Sequence, residues 1–284
     1  MRPLRRGGKS RLRSGAGQAA SRRRLRLPGW RFWLLLLLGL SAYVAFLIAG
    51  LPSAVAWEFA KRYVDIPQQV EVGSLQGTIW NGRVLGLGTA EVQAEQVSWS
   101  VQPTALLRGS LVVEIEGTMV DGFAEGRAEL DRGGLTVLDL NGRLPASPWG
   151  ALAAEFGGEE VALEGTFSFA IDQLELDYSG DIHRADGRLA WHDAAITVDQ
   201  HARLGGITTT LVTDADGRVT GELGDTGGEL VLSGNWWLDL ASGSYEVDAI
   251  VDTREEAADI LTRSLELAGP RQDDGVHIGL EGSL

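Results

Sequence analysis

Apolar positions follow two different rhythms along this chain, and the change between them divides it. Phe32 to Leu51 reads FWLLLLLGLSAYVAFLIAGL, an uncharged and almost wholly apolar run of 20 residues. As a helix it would reach roughly 30 Å, the hydrocarbon thickness of a bilayer. A single helix also satisfies its own backbone hydrogen bonds in lipid. The following Pro52 and Ser53 read as a helix start, so Ala54 to Tyr63 is expected to form a short interfacial helix, ended by Pro67.

From Val70 the period becomes two. VEVGSLQGTIW, GTAEVQAEQVSWSVQP and GSLVVEIEGTMVDG alternate apolar with polar or small residues, as strands with one dry and one wet face do. Asn81-Gly82, Asp121-Gly122, Gly133-Gly134, Asn141-Gly142, Asp186-Gly187, Asp216-Gly217 and Gly227-Gly228 suit hairpin turns. The expected fold is mainly β: an antiparallel meander forming a curved or partly open, barrel-like sheet, with one or two short helices and a single transmembrane helix before it. One helix is expected after Ser147-Pro148-Trp149. The other runs from Arg254 to Ala268, with Ala257, Ile260, Leu261 and Leu265 on its apolar face, and stops at Gly269-Pro270. GTIWNGR (77–83) and GRLAWHD (187–193) are weakly alike, consistent either with a duplicated β layer or with shared strand composition.

Charge sets the topology. Residues 1–31 hold 11 of the 25 basic residues and none of the 39 acidic ones, so the rest carries 14 − 39 = −25. Arg-rich segments stay cytoplasmic, which places the N-terminus inside and the residues after about Pro52 on the far side. A cleaved signal peptide is the rival reading: Ala54-Val55-Ala56 supplies an A-x-A pattern, but signal cores are shorter than this run. Four segments result: a basic disordered tail (1–29), the anchor (30–51), a juxtamembrane helix or linker (52–69) and a β-rich domain (70–284). The tail suits an anionic inner leaflet, and the acidic remainder disfavours nucleic acid as a partner.

Candidate chemistry is sparse. With no cysteine, disulfides, thiolate metal sites and Cys nucleophiles are excluded. His183, His192 and His201 recur every nine residues, yet no metal-ligand pair is recognisable. Asp214-Ala215-Asp216-Gly217 superficially matches a calcium loop, but the closing Glu is replaced by Asp225 and a hairpin turn explains it better. No G-x-S-x-G elbow or phosphate loop is present. No catalytic, cofactor or metal residue is therefore assigned. Trp236 and Trp237 are adjacent on an expected strand, so their rings face opposite ways, and one is a candidate interface residue.

GSLQGTIWNGRV (73–84) and VSWSVQPTALLRGSL (97–111) carry a family resemblance, joined by GRLAWHDAAITV (187–198), ARLGGITTTLV (202–212), GGELVLSGNWWLDLASGSYEVDAIV (227–251) and 260–284. Together they resemble the type II secretion system protein N family. Its motif falls on Gly77, Thr78, Trp80 and Gly82, with Trp99 and Pro103; the Arg-rich tail departs from the family pattern. The resemblance implies a non-enzymatic inner-membrane accessory, with one span and a periplasmic domain, in the machine that exports folded proteins across the outer membrane. Its implied partners are other inner-membrane secretion subunits. The runner-up reading is a periplasmic lipid-binding or lipid-transfer module, similar in style to AsmA-like proteins, with lipid as the partner. An envelope hydrolase is disfavoured because no nucleophile–base set can be placed.

Overall fold

A computed structural model describes residues 30–62, 71–88, 93–150, 161–197, 200–254, 257–272 and 275–283. It separates into two units, residues 1–48 and 49–284. In the first, the apolar run forms α1 (Trp30–Ala49), long and apolar enough to cross a membrane, with none of its residues buried.

In the second, α2 (Ser53–Ala60) precedes fourteen strands. These are β1 (Glu71–Gly77), β2 (Asn81–Gly88), β3 (Gln93–Gln102), β4 (Leu111–Met119), β5 (Gly122–Leu130), β6 (Leu135–Pro145) and β7 (Ala162–Leu176). They continue as β8 (Ile182–Thr197), β9 (His201–Thr213), β10 (Arg218–Asp225), β11 (Leu230–Asp239), β12 (Ser244–Thr253), β13 (Arg271–Gln272) and β14 (Gly275–Ser283). All belong to one open antiparallel sheet whose order is the chain order, except that β14 lies between β12 and β13. The meander read from the alternation is what forms.

Register puts the alternating apolar residues on one face across the whole sheet. Val84, Val97, Ile115, Leu144, Phe167, Leu189, Ile207, Leu223, Trp236, Val247 and Leu280 share it. Ser98, Glu116, Asn141, Ser168, Thr208 and Glu246 lie on the other. Few of the apolar residues are fully buried: Leu189 is 39% exposed and Leu280 56%. Near the chain end, α3 (Asp259–Ala268) packs on β12 and β14 with Leu261 buried, while Leu267 points outward at 89% exposure.

Several expectations change. Asn141-Gly142 and Asp186-Gly187 lie inside β6 and β8 instead of at turns. Gly142 is there because the Phe169 ring crosses it, and Gly187 because the β7 backbone comes too close for a Cβ. The other five Gly dipeptides do lie at hairpin ends. The last helix starts at Asp259, not Arg254, because Arg254 is held by β10 and β11. Where the other helix was expected, a 3-10 turn, Ser147–Trp149 with Pro148 near its start, leads into helical Gly150; 151–160 lie outside the described residues, as does Pro67. The juxtamembrane helix ends at Ala60, short of Tyr63. The weak repeat does not mark equivalent places, since Trp80 sits in a turn and Trp191 within β8.

Candidate functional site

The β1–β2 connection holds most of the motif residues. Gly77 takes φ +88°, which starts the turn and which a side chain would resist. The Thr78 hydroxyl accepts from the amides of Trp80 (3.3 Å) and Asn81 (3.2 Å), a side-chain mimic of a backbone turn. Gly82 then lies directly across from Trp99 on β3, whose ring covers it and whose Nε1–H donates to Ile79 O at 3.1 Å. The Val101 amide donates to Trp80 O at 2.6 Å. Pro103 is exposed just past β3 and takes no part in this cluster.

A second set of contacts ties the chain preceding β1 to the same turn. The Ile79 amide donates to Leu51 O at 3.1 Å, Pro52 bridges Thr78, and buried Ser53 donates its Oγ–H to Gly77 O at 3.2 Å. Gly77, Thr78, Trp80, Gly82 and Trp99 thus act as one clip. It fastens residues 51–53, which follow α1 in the chain, to the first hairpin.

Trp236 and Trp237 occupy opposite faces of β11. Trp236 lies over Gly221 of β10, and its Nε1–H donates to Thr209 Oγ1 at 2.7 Å. Trp237, on the polar face, donates to Glu246 Oε2 at 2.9 Å, and the Arg218 guanidinium stands 4.4 Å from its ring centroid. The two indoles do not form one patch.

Several titratable groups are engaged in local structure. Asp225 Oδ1 accepts from the Gly227 amide and Oδ2 from the Leu232 amide, while Arg254 Nη2 reaches Oδ1 at 2.6 Å and Nη1 holds Gly228 O and Leu230 O. Burial works to raise the Asp225 carboxyl, but Arg254 and the two amides more than offset it and hold it below the usual carboxylate range. Asp214, in the sequence that superficially matches a calcium loop, accepts from the Asp216 and Arg218 amides as a turn residue does.

The histidines take separate partners: His183 faces Asp177, His192 lies 2.8 Å from Ser168 Oγ, and His201 approaches Glu164 at 3.6 Å. Among the described residues no group of His, Asp and Glu converges as metal ligands. The Ser168–His192 pair is an arrangement the sequence did not suggest, because the residues are 24 apart and meet only through the β7–β8 pairing. It sits on the polar face, and among the described residues no carboxylate orients the imidazole, as a nucleophile–base pair requires.

Two concavities stand out. One, of about 920 Å³, is polar and lies where β7 and β8 bulge at Gly165 and Asp193, with Glu164, His201, Arg203 and Glu229 in its wall. The other, of about 570 Å³, lies on the apolar face across β6–β10 and is walled by Leu144, Phe167, Phe169, Leu189, Trp191 and Leu223. Each of these strands advertised its apolar side in the sequence. What the sequence did not show is that, among the described residues, the one side chain this groove gains from outside the sheet is Trp149 of the 3-10 turn.

No curated protein and no solved structure matches the chain. A family model does, that of type II secretion system (T2SS), protein N, over residues 68–278. Its span starts after α1 and takes in the clip turn, both tryptophans of β11 and nearly all of the sheet. With that match over most of its length, the chain belongs to the type II secretion system protein N family.

Proposed function

We propose that this chain is a non-enzymatic, single-pass accessory of the type II secretion system, working by contact with other inner-membrane subunits. In this reading residues 1–29 are a cytoplasmic basic tail, 30–51 a retained anchor in the inner membrane, 52–69 a juxtamembrane segment and 70–284 a periplasmic domain. The observation that carries it is the family match over 68–278 behind a helix of membrane-crossing length. Eleven basic residues before or at the start of that helix, against none acidic, support the N-inside orientation. The engagement of the Asp225 and Asp214 carboxylates in turns and clamps favours a structural role over catalysis.

The contact surface is an edge of the sheet. β13 pairs only with Gly275 and Val276, so among the described residues no strand lies beside the outward edge of β14 from Gly279 to Ser283. An extended segment of another subunit can add there by main-chain hydrogen bonds. Photo-crosslinkers placed at Gly279 and Glu281 in the full-length protein in cells should capture inner-membrane secretion subunits. Capture of none, with secretion unaffected by deleting the chain, would sink the proposal.

A further inference from the structure

We infer that the apolar groove across β6–β10 is a binding site for one acyl chain of a phospholipid. This stands apart from the edge-contact reading, because it concerns a different face and a different ligand.

The wall of the groove offers an occupant nothing polar to hold. Its strands are paired on both sides, so their backbone groups are committed to ladders. Of the hydroxyls on its strands, Ser168 is taken by His192, Thr208 donates to Gly224 O, and Thr209 accepts from Trp236 and donates to Thr210 O. An extended peptide lying in it would bury amides and carbonyls without partners, at a cost that grows with every residue. A helix carries its own hydrogen bonds, but at about 10 Å across and 1.5 Å rise per residue, about 570 Å³ takes in only about five residues of it. An alkyl chain has no polar group to strand, and it gains from the same Leu, Phe and Trp surface.

The lipid class follows from charge. The chain after residue 31 carries −25, so an anionic headgroup at the groove mouth would be repelled, and a zwitterionic one would not. The supply is local, since the same chain carries a helix of bilayer length. The sheet's apolar face continues past the groove on both sides, through Ile115 and Val97 one way and Trp236 and Val247 the other.

The test is photolabelling of the full-length protein in phosphatidylcholine nanodiscs, using phosphatidylcholine with a diazirine in one acyl chain, with adducts mapped by peptide mass spectrometry. Adducts are expected on α1, which serves as an internal control, and on the β7–β9 strands. Leu189→Glu puts a carboxylate on the groove wall at a partly exposed position, and should cut the β7–β9 adducts about tenfold or more while leaving those on α1 unchanged. Leu189→Met should keep them. If Leu189→Glu loses its strand signal in circular dichroism, Leu223→Trp decides, because it fills the groove with apolar atoms and should also reduce labelling. Adducts confined to α1, or β7–β9 adducts that the deciding variant leaves intact, overturn the site. Equal labelling by the corresponding phosphatidylglycerol probe overturns the headgroup assignment.

Discussion

Trp236 lies over Gly221, the residue directly opposite it on β10, with indole atoms 2.4 and 2.5 Å from where a Cβ on that glycine would stand. The same arrangement recurs at Trp99 over Gly82, Phe169 over Gly142 and Tyr245 over Gly282. Pairing a large ring with a glycine lets the ring cover backbone that would otherwise be wet, and it sets strand register. The high glycine content of this sheet is in part the counterpart of its aromatic residues.

Gly82→Ala and Gly221→Ala should therefore each destabilise the sheet by about 1–3 kcal/mol through overpacking. Gly279→Ala, on β14 with open space at the Cβ position, should stay within about 0.5 kcal/mol of wild type. Urea midpoints of the detergent-solubilised chain check this, and equal effects at all three positions would contradict it.

The adjacent tryptophans of β11 should differ in weight. Trp236→Ala removes a ring packed on the apolar face and its hydrogen bond to Thr209, and should cost about 3 kcal/mol or more. Trp237→Ala loses an indole–carboxylate hydrogen bond and a cation–π contact on the polar face, for about 1 kcal/mol. The measurement is again the denaturation midpoint, read with the slope held constant.

Asp225 makes stability depend on acid in a defined direction. Its carboxyl titrates below the ordinary value in the folded chain, so the stabilisation is complete above about pH 5, where the unfolded carboxylate is already charged. It is lost as pH falls through the lower, folded value. Melting temperature should be insensitive to this group from pH 5 to 8 and fall below about pH 4. Asp225→Asn should remove that part of the acid limb. It should also cost about 2 kcal/mol at neutral pH, since the side chain, 12% exposed, leaves Arg254 and two amides short of an acceptor.

Ser53→Ala should loosen the clip without unfolding the sheet. The buried hydroxyl's bond to Gly77 O is worth about 1 kcal/mol. Hydrogen exchange should accelerate at the Ile79 amide, which is held by Leu51 O, and remain unchanged at Leu223 in the middle of the meander.

Strand existence was legible because each strand shows water on one side and apolar neighbours on the other, as in Leu230 to Asp239. Turns were legible where Gly-Gly or Asp-Gly falls between two such runs, as at Gly133-Gly134 and Asp216-Gly217. They misled at Asn141-Gly142, because a glycine that makes room for Phe169 looks in sequence like one that makes a turn. The motif residues could be named in advance, but their joint role could not. Ser53 and Gly77 are 24 residues apart, and only the folded hairpin brings residues 51–53 to Thr78 and Ile79. The groove was hidden for a different reason: alternation reports that a strand has a dry side, and says nothing of what lies against it.

The strand order carries one more implication. Because nearly every strand is bonded to its immediate predecessor, the sheet can be laid down progressively from its first hairpin as the polypeptide emerges, each new segment finding its template already in place. The exceptions are β13, which has no partner until β14 follows, and β14, which docks on β12 after α3 and β13 have been passed. β14 thus joins the sheet late, and its outward edge beyond Val276 is the one proposed above for another subunit.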